Sequence, residues 1–357
     1  MNRIKLQWQN KPHKHWLIVA FLAIATFLLW RLIIWAAMDN TSTQTANTRF
    51  NATVSSDVQQ LQRQLEVYSG SLYSARALFQ VDKNVSRQDW TNFVDAQNIA
   101  QRFPGFYGIA YARVIEKSQI ASLTAELNAN RLPTEQTPVT VYPPSTSERL
   151  AVVSYLAPEN INQKTIGYDL LTSPERAKSL DEARDSGTPQ ASVPLSLLGE
   201  DKSPAQPSVL LVMPIYGNGP TATVAERQAA LTGYAVLAFH TNQLLESIFN
   251  TPSPYGSPAV TVSADGSDIY QTRLKPTSQA LQKTVTLDFA GQPWKLTFGA
   301  PIDFGLSANT KLIPTLVLAS TIPFAIVLYI AFFYFLRFKV LRQAASNDSE
   351  ELKRKNS

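Results

Sequence analysis

Asp169, with Tyr168 beside it and a helix signal directly after it, is the group in this sequence best placed to hold a ligand. A carboxylate just ahead of a helix can accept hydrogen bonds from a polar ligand. It can equally accept them from the free amides of the helix's own first turn, as a cap. Both readings stay open on the residues alone. Other chemistry is thin. Asp181, Glu182 and Asp185 share the outer side of one helix and read as a solvated face, not an acid–base pair. His240 has no evident serine or cysteine partner, and no G-x-S-x-G elbow occurs. Gly217-Asn218-Gly219 is a turn with no phosphate-loop lysine after it. The chain has no cysteine, and two of its three histidines, His13 and His15, precede the first apolar run. Thiolate metal ligands are therefore unavailable, a multi-histidine site is not expected, and neither a cofactor nor enzyme activity is expected.

The helix that follows Asp169 carries its own punctuation. Ser173 is placed to be an N-cap, Pro174 takes the first helical position, and Glu175 adds negative charge to the first turn. Gly187 supplies the left-handed residue that stops it. Ala177, Leu180 and Ala183 or Arg184 fall at helical spacing, which predicts one narrow inward face.

What positions this segment is a chain of 357 residues, 45% apolar and 17% charged, whose apolar residues are unevenly spread. Residues 16–38 are apolar apart from Arg31, and residues 312–336 carry no charge. Each exceeds the ~20 residues needed to cross a bilayer. The first continues well past the length of a signal-peptide core, so an anchor is expected. Arg31 is expected to snorkel to the interface, with pairing to a second helix as the alternative. Of 32 Lys and Arg, four precede the first span, one lies in it and six follow the second; the 21 left between the spans face 24 Asp and Glu. The net charge of +5 thus belongs to the ends. That asymmetry predicts a two-pass protein of the inner membrane, with both termini cytoplasmic and the loop periplasmic, and no nucleic-acid partner.

Between the spans, Val54, Val58, Leu61, Leu65, Tyr68, Leu72, Ala75 and Phe79 recur at alternating steps of four and three, a sustained heptad seam. It predicts a long helix continuing out of the membrane. The seam either packs on its own domain or makes a homodimer stalk, and both hold if opposite faces are used. Ser86-x-x-Asp89 opens a second helix, and residues 116–130 form a third. Strands are expected at 106–115, 139–142, 151–156, 191–198, 208–216 and 231–239, with a helix at 240–250. After the proline-rich break at 251–258, two hairpins are expected, turning at Asp265-Gly266 and at 290–293. The order of elements predicts an α+β protein on antiparallel sheets.

In their order and spacing, several short motifs make this chain resemble the CHASE domain, the extracytoplasmic sensor of bacterial histidine kinases, diguanylate cyclases and plant cytokinin receptors. They are Pro104-Gly-Phe-Tyr-Gly-Ile-Ala-Tyr-Ala-Arg113, Gly167-Tyr-Asp-Leu170, Ala183-Arg-Asp-Ser-Gly187, Val212-Met-Pro-Ile-Tyr216 and Leu231-Thr-Gly-Tyr234. The resemblance implies an N-terminal helical stalk and two PAS-like antiparallel-sheet domains flanked by the two transmembrane helices. Its domains are a cytoplasmic start at 1–15, a span at 16–38, a stalk at 39–80 and a membrane-distal ligand-binding domain at 81–250. A membrane-proximal domain at 251–311, a span at 312–336 and a cytoplasmic tail at 337–357 complete it. It implies a small-molecule ligand, purine-like in the plant members, contacted by an acid and a hydroxyl that correspond here to Asp169 and Ser192. Tyr111, Tyr155, Leu211, Met213 and Tyr234 are the candidates to line the pocket. The family's cytoplasmic output is expected from a separate partner, or from sequence beyond this chain. A non-sensing adaptor that binds a partner protein is the alternative.

Overall fold

The computed structural model describes residues 12–131, 137–159, 163–198, 206–251, 253–272 and 280–355. Most of the expected cytoplasmic start, part of the link between the helix at 116–130 and the strand at 139–142, much of the link between the strands at 191–198 and 208–216, and part of the link between the two hairpins lie outside the described residues. The chain divides into two units, Phe50–Ile302 and Met1–Arg49 with Asp303–Ser357.

In the larger unit the heptad seam forms the inner face of helix α1 (Pro12–Val81). Val54, Leu61, Leu65, Tyr68, Leu72 and Ala75 are buried, and Val58 and Phe79 are half-buried. The seam is spent on the chain's own sheet: Tyr68 lies 5.0 Å from Phe239, and Phe79 stacks on Tyr111 at 4.2 Å. Each such aliphatic side chain contributes about 1.5–3 kcal/mol by burial, so this face is closed to a partner copy. α2 (Arg87–Ala96) starts at Ser86 with a reciprocal capping box to Asp89, as its spacing predicts. α3 (Ile99–Arg102) leads into the sheet.

That sheet is antiparallel with the order β2-β1-β5-β4-β3. Its strands are β1 (Phe106–Glu116), β2 (Arg149–Ala157), β3 (Gln190–Ala191), β4 (Ser208–Tyr216) and β5 (Leu231–His240). α4 (Ile120–Ala129), α5 (Pro174–Ser186), α6 (Val224–Ala230) and α7 (Thr241–Phe249) connect them. Two expected strands shrink. Residues 139–142 supply only a bridge from Tyr142 to Tyr168. Residues 191–198 supply β3 and a bridge from Leu195 to Ser208, because Pro194 has no amide to extend the ladder. α6 replaces what reads as a turn-rich loop; Thr223 and Glu226 close a capping box at its start.

The second sheet, in the order β7-β6-β9-β8, contains β6 (Ala259–Ala264), β7 (Ser267–Gln271), β8 (Leu281–Phe289) and β9 (Gln292–Ala300). Its turns fall where expected. Asp265 and Gly266 have φ of 48° and 73°, and Ala290 and Gly291 have 47° and 82°. Two successive positive φ values give the primed turn that suits the strand twist. The whole is an α+β fold with a long helix and two antiparallel sheets.

In the smaller unit, α8 (Ala308–Ala319) and α9 (Thr321–Lys355) meet at a break at Ser320. Among the described residues, one stretch, Thr315–Arg342, is long and apolar enough to cross a membrane. Residues 16–38 are helical within α1 but are not identified as a second such span. Arg31 does not simply snorkel. Its guanidinium donates to the Val317 carbonyl and to Ser320 Oγ, beside the helix break, where Ser320 Oγ also donates to the Val317 carbonyl at 2.9 Å. It also lies over the Phe27 ring at 5.7 Å, and Phe27 stacks on Phe324 at 4.0 Å.

Candidate functional site

Because side chains alternate along a strand, the five-stranded sheet has two distinct faces. Registers Ala110–Val236–Val212 and Ala112–Tyr234–Pro214 put even-numbered residues of β1, β5 and β4 on one face. Tyr111–Ala235–Met213 puts the odd ones on the other. The odd face receives α1. The even face is covered by α5 and the segment before it, and here small residues leave room: Gly108, Ala110 and Ala238 floor a cavity of about 60 Å³. Its apolar walls are Val153, Leu156, Leu170, Leu197, Leu198, Leu210 and Val236, and its polar groups are Tyr107, Thr165 and Arg176.

Against this geometry the expected pocket residues scatter. Tyr111, Tyr155, Leu211 and Met213 do not line the cavity. Tyr111 stacks on Phe79 and lies 5.6 Å from Tyr155. Burial pushes its hydroxyl up to about 12. Tyr155 donates to the Val85 carbonyl at 3.1 Å. Leu211 and Met213 are wholly buried on the odd-numbered face. Tyr111 does border a second, open concavity of about 790 Å³, together with Arg76, Lys83 and Arg227. Tyr234 is on the cavity's face, but it sits away from the cavity, fully buried, with its hydroxyl unpartnered and its pKa raised by burial.

Asp169 is fully buried and acts as a cap. Oδ1 accepts from the Ala151 amide at 2.9 Å and the Leu171 amide at 3.1 Å, tying β2 to the one-turn helix Leu170–Thr172. Oδ2 has no hydrogen-bond partner. Burial raises the carboxyl pKa, opposed by the two amides and by nearby Ser145, whose hydroxyl approaches without completing a hydrogen bond. Ser192 is also buried and consumed by the strand edge: Oγ donates to the Val193 carbonyl at 2.8 Å and accepts from the Leu210 amide at 3.0 Å. Neither residue lines the cavity. Leu170 and Leu210, which they hold in place, do.

Three features escaped the sequence reading. α5 buries Arg176, Ser179, Leu180, Ala183 and Arg184, so Arg176 joins the inner face beside the expected Leu180, Ala183 and Arg184. The i, i+4 spacing of Arg176 from Leu180 was a visible signal, masked by the rule that arginine faces water. Ser173 starts the helix but turns its hydroxyl to Glu175 instead of to a backbone amide. His240 does have a serine partner: its Nδ1 lies 2.9 Å from Ser208 Oγ, across a β4–β5 pair. Both side chains are buried, and Ser208 Oγ also donates to the Gln206 carbonyl at 3.1 Å. The pair reads as a polar tie at the sheet end. Among the described residues no group of three His, Cys, Asp or Glu side chains could hold a metal ion.

A CHASE domain family model matches residues 83–276. No curated protein matches. Among solved structures, this chain is similar to an extracellular ligand binding receptor from Desulfohalobium retbaense, with 12% identity and a TM-score of 0.44. The likeness covers 70% of this chain and 40% of that one. It is similar to a domain of a sensory box/GGDEF family protein from Vibrio parahaemolyticus, with 13% identity and a TM-score of 0.42 over 74% of this chain and 97% of that one. It also resembles the periplasmic sensory domain of a Campylobacter jejuni chemoreceptor, with 9% identity and a TM-score of 0.39 over 74% and 96%.

Proposed function

This chain belongs to the CHASE domain family, and on that premise we propose that it is a membrane-anchored extracytoplasmic sensor that binds a small molecule and relays its presence across the membrane. The observation that carries the reading is the cavity between the even-numbered face of the sheet and the α5 side. It is walled by apolar side chains with a few polar groups among them, the composition of a small-ligand site. Asp169 and Ser192 serve it by fixing the segments that bring Leu170 and Leu210 to its wall. In this reading the chain crosses the inner membrane twice, with the basic ends in the cytoplasm. The bonds from Arg31 to Val317 and Ser320 support two helices that cross together. Occupancy acts through α1, whose seam packs on the same sheet, and reaches a cytoplasmic output. Self-association through the stalk uses the face of α1 opposite that seam. No catalytic step belongs to this function.

Such a relay needs a ligand that binds one conformation better than the other. A specific ligand stabilises the folded chain by mass action. The full chain in detergent, screened by thermal unfolding against a broad small-molecule panel with adenine derivatives included, should show a concentration-dependent rise in Tm for at least one compound class. A melting temperature that ignores the whole panel, together with heavy crosslinking of the periplasmic loop to another polypeptide, would establish the adaptor instead.

A further inference from the structure

We propose that Arg176 is an anion-recognising subsite of this cavity, taking the carboxylate of a compact organic acid whose apolar body lies against Leu156, Leu170, Leu210 and Val236. The inference rests on the sensor reading and names the ligand's chemical class.

Arg176 projects from the first turn of α5 into the cavity and is only 9% exposed. A guanidinium taken out of water costs several kcal/mol unless it is paired and hydrogen-bonded. Three other enclosed arginines of this unit have carboxylates: Arg87 pairs with Glu159, Arg113 with Glu126, and Arg184 with Asp181 and Asp185, whereas the half-buried Arg76 and Arg227 donate to backbone carbonyls outside the cavity. Among the described residues no carboxylate pairs with Arg176. Its contacts are neutral. Nη2 donates to the Ser196 carbonyl at 2.9 Å, Nη1 reaches Tyr168 Oη at the long distance of 3.5 Å, and the guanidinium lies 5.6 Å from the centre of the Tyr168 ring. An arginine fork carries more donors than these contacts use. The ring and the carbonyl therefore fix the plane of a cation that no carboxylate among the described residues pairs with, beside an apolar cavity. That is the arrangement which suits a carboxylate, accepted two-pronged by the free edge of the fork. Thr165 and Tyr107 add hydroxyls to the same cavity, while the rest of the wall is aliphatic or made of small residues. A cavity of about 60 Å³ selects a compact acid over an extended one.

The experiment titrates the full chain in detergent with matched probes: acetate and propanoate against acetamide and propanamide, with adenine as an uncharged control. Thermal unfolding and calorimetry read the binding. The carboxylates are expected to raise Tm and the amides to leave it unchanged. Arg176→Gln should weaken carboxylate binding about tenfold or more, the scale of a charge-assisted hydrogen bond. Arg176→Lys should retain part of it. If Arg176→Gln does not fold, the acid-against-amide contrast in the unsubstituted chain still decides. Amides or adenine that stabilise the chain as well as the acids do would overturn the anionic subsite while leaving the sensor reading intact. So would carboxylate binding undiminished in Arg176→Gln. Silence from these acids overturns the subsite, and silence from the broad panel as well removes the sensor reading with it.

Discussion

At the scale of single residues, Asp169 shows how a buried carboxylate can tie a strand to a helical turn. Its Oδ1 satisfies two amides that no strand or helix bond reaches. Asp169→Ala should therefore cost about 1–2 kcal/mol, measured by urea unfolding. Asp169→Asn keeps an acceptor for both amides without a buried charge and should be at least as stable as the unsubstituted chain at pH 7. The pH dependence follows from the raised carboxyl pKa. The folded state holds the proton to higher pH than the unfolded chain, so this contribution is full below the ordinary aspartate pKa. It is lost as pH rises through the raised value. Asn should flatten that slope. Ala110 carries a different expectation. Leucine there would fill the cavity floor, costing about 1–3 kcal/mol by overpacking and abolishing every ligand-induced rise in Tm.

At the scale of elements, the pairing of Arg31 with the α8–α9 break makes one charge hold two helices. Arg31→Leu should leave the periplasmic sheets folded, since its bonds to Val317 and Ser320 lie within the smaller unit. It should loosen the helix pair, read as lost crosslinking between cysteines introduced at Phe27 and Phe324, whose rings stack. The seam of α1 belongs to this scale too. Leu61 and Leu72 are wholly buried, and either one changed to Ala should cost about 2–5 kcal/mol in unfolding of the periplasmic region. A dimer interface in the same place would instead make that loss depend on protein concentration.

For the molecule as a whole, Asp57 on α1 makes stability sensitive near neutral pH. Burial raises its pKa from 3.8 to about 6. The folded chain binds this proton more tightly than the unfolded chain, so stability should fall as pH rises from about 4 through 6. Tm should therefore be higher at pH 5 than at pH 7.5, and Asp57→Asn should shrink the difference. Below pH 4 the opposite trend takes over, because Asp89 and Asp185 have pKa values lowered by hydrogen bonds to Ser86 and Arg184. Those bonds fail once their carboxylates are protonated.

The sequence by itself determined the elements. Val54 to Phe79 wrote the long helix, Asp265-Gly266 placed one hairpin turn, Ser86 and Asp89 signed a helix start, and five short motifs named the family. These signals are local, because periodicity, capping and turn geometry need only a few neighbouring residues. The tertiary structure alone decided which face of each strand meets the cavity. A one-residue difference in parity moves Tyr111 and Met213 to α1 and Ala110 and Val236 to the cavity. No local rule sets that parity when both faces of a sheet are buried. It also decided that Pro194 cuts a strand short, that Ser208 finds His240, and that Arg176 turns inward. Each depends on a partner distant in the chain, and a guanidinium faces water in sequence logic until the fold encloses it.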